Sequence, residues 1–119
     1  DSDAERKLAV IMERDALKWF KPAKGQFQIF YRHSADHLEY QPDFVAETES
    51  TIYMMEPKAS NQMNDPVVLA KKEVAVKWCV NATEYAKSHG GKPWRYVLIP
   101  HDGIATNMTL NGLAQMYGV

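Results

Sequence analysis

The alternation of apolar and polar residues predicts a β-hairpin near the middle of the chain. Two strand-like segments, Tyr40–Thr48 and Thr51–Glu56, are separated by polar residues that favour a turn. Side chains alternate between the two faces of a strand, so Glu56 and Lys58 face the same side as Met54. Charged groups are costly in a core unless they are paired or bind a metal. This side of the hairpin is therefore a candidate functional site.

Apolar residues at helical spacing predict two long helices. The first runs from Ser2 to about Trp19. The second runs from Asp65 to about Ser88, because Asp-Pro is a typical helix start and two glycines follow the end. The predicted buried stripe of the second helix comprises Val67, Val74, Ala75, Trp78, Ala82 and Tyr85.

The remaining segments complete an α/β pattern. Phe27–Tyr31 alternates as a strand, His33–His37 is expected to form an exposed polar loop, and Trp94–Ile99 is typical of a strand that is covered on both faces. Asn107–Met116 is predicted to be a closing helix, and Met108, Leu113 and Met116 are the residues expected to turn inward. The resulting order, α-β-β-β-α-β-α, predicts a mixed central sheet flanked by helices in one domain over residues 1–119.

The charged residues of the hairpin favour metal-dependent phosphodiester chemistry. Asp43 begins one strand, while Glu56 and Lys58 end the other. Carboxylates bind Mg²⁺, which stabilises charge on a phosphate and lowers the pKa of water, and a lysine can orient that water. The alternative is a surface salt bridge at the end of a hairpin.

Two further charged residues fall on predicted buried helix faces. Glu5 lies within the stripe of the first helix, where it either supports the metal site or stabilises the helix dipole. Lys71 lies within the stripe of the second helix, where it either reaches the site or extends its ammonium to water past a packed stem. Lys72 is expected to be a surface residue.

At these residues the sequence resembles the PD-(D/E)xK nucleases, and specifically the C-terminal endonuclease domain of type III restriction enzyme restriction subunits and related helicase-nucleases. Pro42-Asp43 matches the first half of the motif and Glu56-Pro57-Lys58 the second. The resemblance extends from Glu5 to about Leu113. The other segments that carry it are Trp19–Pro22, Phe27–Tyr31, Tyr40–Phe44, Asp65–Val67, Ala75–Cys79 and Lys92–Tyr96.

The resemblance implies a restriction-endonuclease-like core and a Mg²⁺-dependent DNA endonuclease, with Mn²⁺ as a substitute. Asp43, Glu56 and the backbone oxygen of Pro57 would bind the metal, Lys58 would position the water, and Glu5 and Lys71 would support the site. It also implies an upstream ATP-driven translocase in the same chain and a methyltransferase subunit as partner. No phosphate-binding loop motif occurs among the 119 residues, so ATP would bind only outside them.

Composition limits these expectations. The chain has no apolar run of membrane-spanning length and no signal-like start, and its single cysteine, Cys79, is expected to be a core residue of a cytoplasmic protein. It begins at Asp1, so we expect it to be part of a longer protein. The formal net charge of −1 predicts weak binding to DNA. A basic patch could form among Lys18, Lys21, Lys24, Lys58, Lys71, Lys72 and Lys77.

Two other functions stay open at this point. A module that keeps the fold for DNA or protein binding but has lost cleavage would not need Asp43, Glu56 and Lys58 together. A repair or junction-resolving nuclease would use the same motif on the same fold.

Overall fold

A computed structural model describes residues 2–119, without the side chains of Ser2 and His33. It contains a four-stranded mixed sheet, a separate two-stranded hairpin and three α-helices. The helices are α1 (Ser2–Asp15), α2 (Pro66–His89) and α3 (Leu110–Tyr117). The strands are β1 (Lys18–Phe20), β2 (Ile29–His33), β3 (Asp36–Tyr40), β4 (Phe44–Glu47), β5 (Ile52–Lys58) and β6 (Trp94–Pro100).

The main sheet has the strand order β1-β4-β5-β6. β4 and β5 form the antiparallel hairpin predicted from the sequence, while β6 returns through α2 to lie parallel to β5. A parallel neighbour requires a long crossover, which the 24 residues of α2 provide. The protein is thus a compact α/β fold with a mixed sheet, as predicted.

The two faces of the sheet are covered by different elements. Leu8 of α1 and Leu113 of α3 share one apolar cluster with Met55, whereas Val68 of α2 and Ile29 of β2 share the other with Met54. β5 is therefore buried on both faces, and its alternating side chains point into two separate cores. Glu56 follows Met55 and belongs to the face that α2 covers.

The predicted first helix is too long. α1 ends at Asp15, and Trp19 belongs instead to β1, which pairs with the outer edge of β4. This pairing satisfies backbone groups that β4 would otherwise expose. The Trp19 ring lies 6.2 Å from that of Phe44, so it still contributes to the core below α1.

The region before Asp43 also differs from the prediction. The expected loop at residues 33–37 is part of the β2–β3 hairpin, which turns at Ser34 in a left-handed conformation (φ 56°). The expected single strand from Tyr40 to Thr48 is broken by Gln41–Asp43, since Pro42 has no N–H to donate to a ladder. Tyr40 therefore ends β3, and Asp43 directly precedes β4.

The predicted faces of α2 and α3 are partly wrong. Val67 and Tyr85 are 54% and 66% exposed, whereas Ala75 is buried as predicted, and the helix also buries Val68, Cys79 and Ala86. α2 begins at Pro66, with the Asp65 carboxylate accepting a hydrogen bond from the Val67 N–H, as its sequence predicted.

α3 begins at Leu110, capped by Thr109, which is later than expected. Leu113 faces the core, and Met108 is partly buried against the same cluster. Met116 is 62% exposed, so its predicted inward orientation is wrong. The helices within residues 2–119 include none that is long and apolar enough to cross a membrane.

Candidate active site

Strand register places Asp43 opposite Glu56. Phe44 pairs with Met55 in the antiparallel β4–β5 ladder, and continuing that register by one residue brings Asp43 to Glu56. Glu56 is only 6% exposed, and Asp43 is half-buried. Glu56 thus lies on the face of the sheet that α2 covers, and Asp43 at the start of β4 is close enough to feel its charge.

Two buried tyrosines hold Glu56. The hydroxyls of Tyr40 and Tyr96 donate hydrogen bonds of 3.1 and 2.9 Å to the same oxygen, Oε2. Burial, followed by the electrostatic influence of neighbouring groups that include Glu56, raises the pKa of both tyrosines far above the ordinary value. They remain protonated donors at any physiological pH, so they fix the orientation of Glu56 and leave its other oxygen available.

Lys58 faces that second oxygen. Its Nζ lies 3.9 Å from Glu56 Oε1, at the outer limit of an ion pair, and its side chain is 30% exposed. The lysine is therefore close to the two acids but not tightly bound by them. Its ammonium has room to engage a water molecule or a phosphate at the mouth of the site.

Asp43 has no hydrogen-bonding or ion-pairing partner among the described residues. Burial and the negative charges of Glu56 and Glu5 raise its pKa to about 6, although Lys58 and Lys21 oppose the shift. A half-buried carboxylate without a partner is costly to the fold. A bound cation would remove that cost.

Glu5 lies at the edge of this group. It is close enough to Asp43 for its charge to raise the pKa of that carboxyl, but its own Oε1 pairs with Lys21 Nζ at 2.5 Å. The Glu5 side chain is 28% exposed, so the first-helix acid does not face open solvent. Its predicted role as a metal ligand stays a prediction.

Of the two helical lysines, only Lys72 differs from its prediction. Placed at 100° per residue, Lys72 lies about 40° from the direction of Val68, and Lys71 lies about 60° away on the other side. Both are half-buried, so Lys72 is not the plain surface residue that the sequence predicted. Lys71 lies on the side of Val74 and Trp78, which border the β2–β3 hairpin.

The donor set fits Mg²⁺. This ion keeps several waters and takes only one or two protein carboxylates, and Asp43 and Glu56 supply two. Pro57, whose carbonyl was predicted as a further ligand, is buried in β5 and pairs in register with Ile99. Among the side chains that the structure describes, which exclude that of His33, no three histidine, cysteine or acidic groups form a preassembled metal cluster. Solvent and substrate oxygens would therefore have to complete the shell.

Comparison of the chain with known protein families, with curated proteins and with solved structures found no match. What the site can do therefore has to be argued from its own residues. The relevant features are an unpaired Asp43, an oriented Glu56 and an adjacent Lys58.

Sequence reasoning missed three residues of this site. Tyr40 and Tyr96 lie in apolar segments, where a buried tyrosine most often serves packing. The available signal was the need of buried Glu56 for hydrogen-bond donors. Lys21 was missed because the first helix was predicted to continue through Trp19. The helix instead ends at Asp15, and the chain then turns back so that Lys21 lies beside α1.

Proposed function

We propose that this protein is a Mg²⁺-dependent DNA endonuclease domain with a restriction-endonuclease-like core, similar to the nuclease part of type III restriction enzymes. The observation that carries the proposal is the opposition of Asp43, which has no protein partner among the described residues, to Glu56, which two tyrosines hold in place. In a purely structural salt bridge, each of these acids would be paired closely with a basic side chain. In a site that binds a cation, an acid is left without such a partner.

The topology supports the same function. Glu56 lies on β5 and Asp43 directly precedes β4, and helix α2 covers one face of the sheet to which both strands belong. Rigid strands hold catalytic groups more precisely than loops do. Lys58 is the last residue of β5, and its side chain is 30% exposed, so its ammonium is accessible to a DNA phosphate.

Each residue has a distinct role in the proposed reaction. Asp43 and Glu56 would hold Mg²⁺, which when bound stabilises negative charge on a phosphate and lowers the pKa of water. The Lys58 ammonium would orient the attacking water and offset the charge that develops on the scissile phosphate. Tyr40 and Tyr96 would keep Glu56 in the orientation that presents Oε1.

The proposed partners follow from the chemistry and from the resemblance. The substrate is double-stranded DNA. Because the domain has a near-neutral charge, it would depend on other parts of a larger complex for its affinity for DNA. Those parts would be an ATP-driven translocase in the same chain and a methyltransferase subunit that recognises the DNA sequence. Such a complex would act in the cytoplasm.

A plasmid-nicking assay tests this function. The purified chain should nick supercoiled DNA slowly with Mg²⁺ or Mn²⁺ at low salt, and not at all with EDTA. Asp43→Asn and Lys58→Met should each abolish nicking. Lys87→Met, which changes an exposed lysine at the far end of α2, should leave the rate unchanged. Nicking by the Asp43 variant near the wild-type rate would overturn the assignment, and metal-independent DNA binding without any nicking would favour a non-catalytic binding module.

A further inference from the structure

Lys21 lies against the acidic site but has no role in the reaction described above. It follows β1, and its ammonium pairs with Glu5 Oε1 at 2.5 Å. The same ammonium lies 5.5 Å from the centroid of the Phe44 ring, next to Asp43 in the sequence. Lys21 therefore places a positive charge between the first-helix acid and the start of β4.

The backbone around Lys21 is fixed to the segment that carries Asp43. The side-chain amide of Gln41 donates to the Pro22 carbonyl at 3.2 Å, and its oxygen accepts from the Gly25 N–H at 3.1 Å. Pro22 itself is buried. The loop after β1 is thus hydrogen-bonded to the residue two positions before Asp43. These bonds fix the position of the Lys21 backbone relative to Asp43.

The Lys21 side chain, in contrast, is largely exposed. It is 59% exposed, and an ion pair with that exposure contributes little to stability. Lysine carries a compact charge on a flexible stem, which lets it exchange one anionic partner for another. Two kinds of anion would lie within its reach, namely the carboxylates of the site and a phosphate of bound DNA.

We propose that Lys21 is the counter-ion of Glu5, beside Asp43, in the metal-free protein and that a divalent cation at the neighbouring acids releases it to bind a backbone phosphate of the DNA. This inference rests on the proposed nuclease function and adds a DNA contact to it. In the metal-free protein, Lys21 supplies the positive charge next to the acids. When Asp43 and Glu56 hold a divalent cation, the cation supplies that charge instead. The ammonium then gains more from a phosphate than from Glu5.

Metal titration tests the first half. Lys21→Met keeps the length of the side chain and removes its charge, and Lys24→Met is the matched control because Lys24 is an exposed lysine of the same loop. In calorimetric titrations with Mn²⁺, Lys21→Met should bind the metal about two- to fivefold more tightly than the wild type, the range expected for removing a partly exposed competing ion pair. Lys24→Met should match the wild type.

DNA binding tests the second half. With Ca²⁺ present, and with the duplex verified to be intact, the plot of log affinity against log salt should be shallower for Lys21→Met by about 0.9, the loss of one phosphate contact. With EDTA, both variants and the wild type should have the same slope. Lys21→Met behaving like Lys24→Met in both experiments would overturn the inference while leaving the nuclease proposal intact. A wild-type protein that binds no Mn²⁺ would overturn both.

Discussion

The hydroxyl of Tyr96 donates a 2.9 Å hydrogen bond to Glu56 Oε2, although the two residues lie 40 positions apart in the chain. The bond joins the neighbouring parallel strands β5 and β6 on the face that α2 covers. Tyr40 donates to the same oxygen from the other side, out of the β2–β3 hairpin. The site is therefore supported by three parts of the fold rather than by the hairpin alone.

Removing the tyrosine hydroxyls should weaken metal binding. Tyr96→Phe keeps the ring that fills the core but deletes a hydrogen bond to a charged group, an interaction worth about 1.5–3 kcal/mol. We expect Mn²⁺ affinity to fall about 10- to 100-fold, as is typical when a group that orients a metal ligand is lost. Tyr53→Phe is the control, because Tyr53 is buried on β5, the strand of Glu56, but faces the opposite core. Equal metal affinities in the two variants would show that Tyr96 serves packing only.

Stability should depend on the ionisation of Asp43. The pKa of this carboxyl is raised to about 6 in the folded protein from an ordinary value of 3.8, so the folded state binds the proton more tightly than the unfolded state. Protonated Asp43 therefore stabilises the folded state. This stabilisation is complete below pH 3.8 and is lost as the pH rises through about 6. Asp43→Asn should therefore be more stable than the wild type at pH 7.5, by about 1–2 kcal/mol for a half-buried group.

Urea unfolding at several pH values measures this effect. The gain from Asp43→Asn should shrink between pH 7.5 and pH 4. Asp36→Asn, which changes an exposed acid of β3, should not show that trend. A gain that stays constant with pH, or a wild type that is the more stable protein at pH 7.5, would contradict the electrostatic description of the site.

Much of this site was predictable because its central residues are close in sequence. Asp43, Glu56 and Lys58 belong to one hairpin, and strand alternation fixes which way each points. The turn, the long second helix and the buried last strand follow from equally local signals. These are the features that short-range patterns determine.

The remaining features depend on contacts between distant segments. β1 is stable because it pairs with β4, and no local pattern distinguishes its three residues from the end of a helix. The face that α2 buries was misjudged because Val67 and Val68 are equally apolar, and only the sheet beneath determines that Val68 is inside. Tyr40, Tyr96 and Lys21 reach the site only once the chain has folded.

Lys58 should be essential for cleavage but not for metal binding. Lys58→Ala removes the ammonium that lies 3.9 Å from Glu56 and leaves both carboxylates in place. Since its proposed role is to orient water and offset charge, we expect DNA cleavage to fall by at least about 100-fold, the scale of losing one electrostatic group. Mn²⁺ binding should persist. Loss of metal binding together with cleavage would instead make Lys58 a structural residue of the site.

The isolated domain should cut slowly and without sequence preference. A formal net charge of −1 leaves few phosphate contacts, and attachment to a translocase could raise effective affinity about 10²- to 10⁴-fold without a new contact at the site. Plasmid nicking by the 119-residue chain and by a longer protein that contains it should be compared across a salt series. Efficient, specific cleavage by the chain alone at physiological salt would mean that recognition lies within these residues.

The most direct test of the site is a crystal structure of the protein soaked in Mn²⁺, with anomalous diffraction to locate the metal. We expect one strong anomalous peak between the carboxylates of Asp43 and Glu56, and no peak there in Asp43→Asn crystals. A metal bound elsewhere, with Asp43 and Glu56 free of any cation at saturating Mn²⁺, would contradict the claim that these two residues form a catalytic metal site.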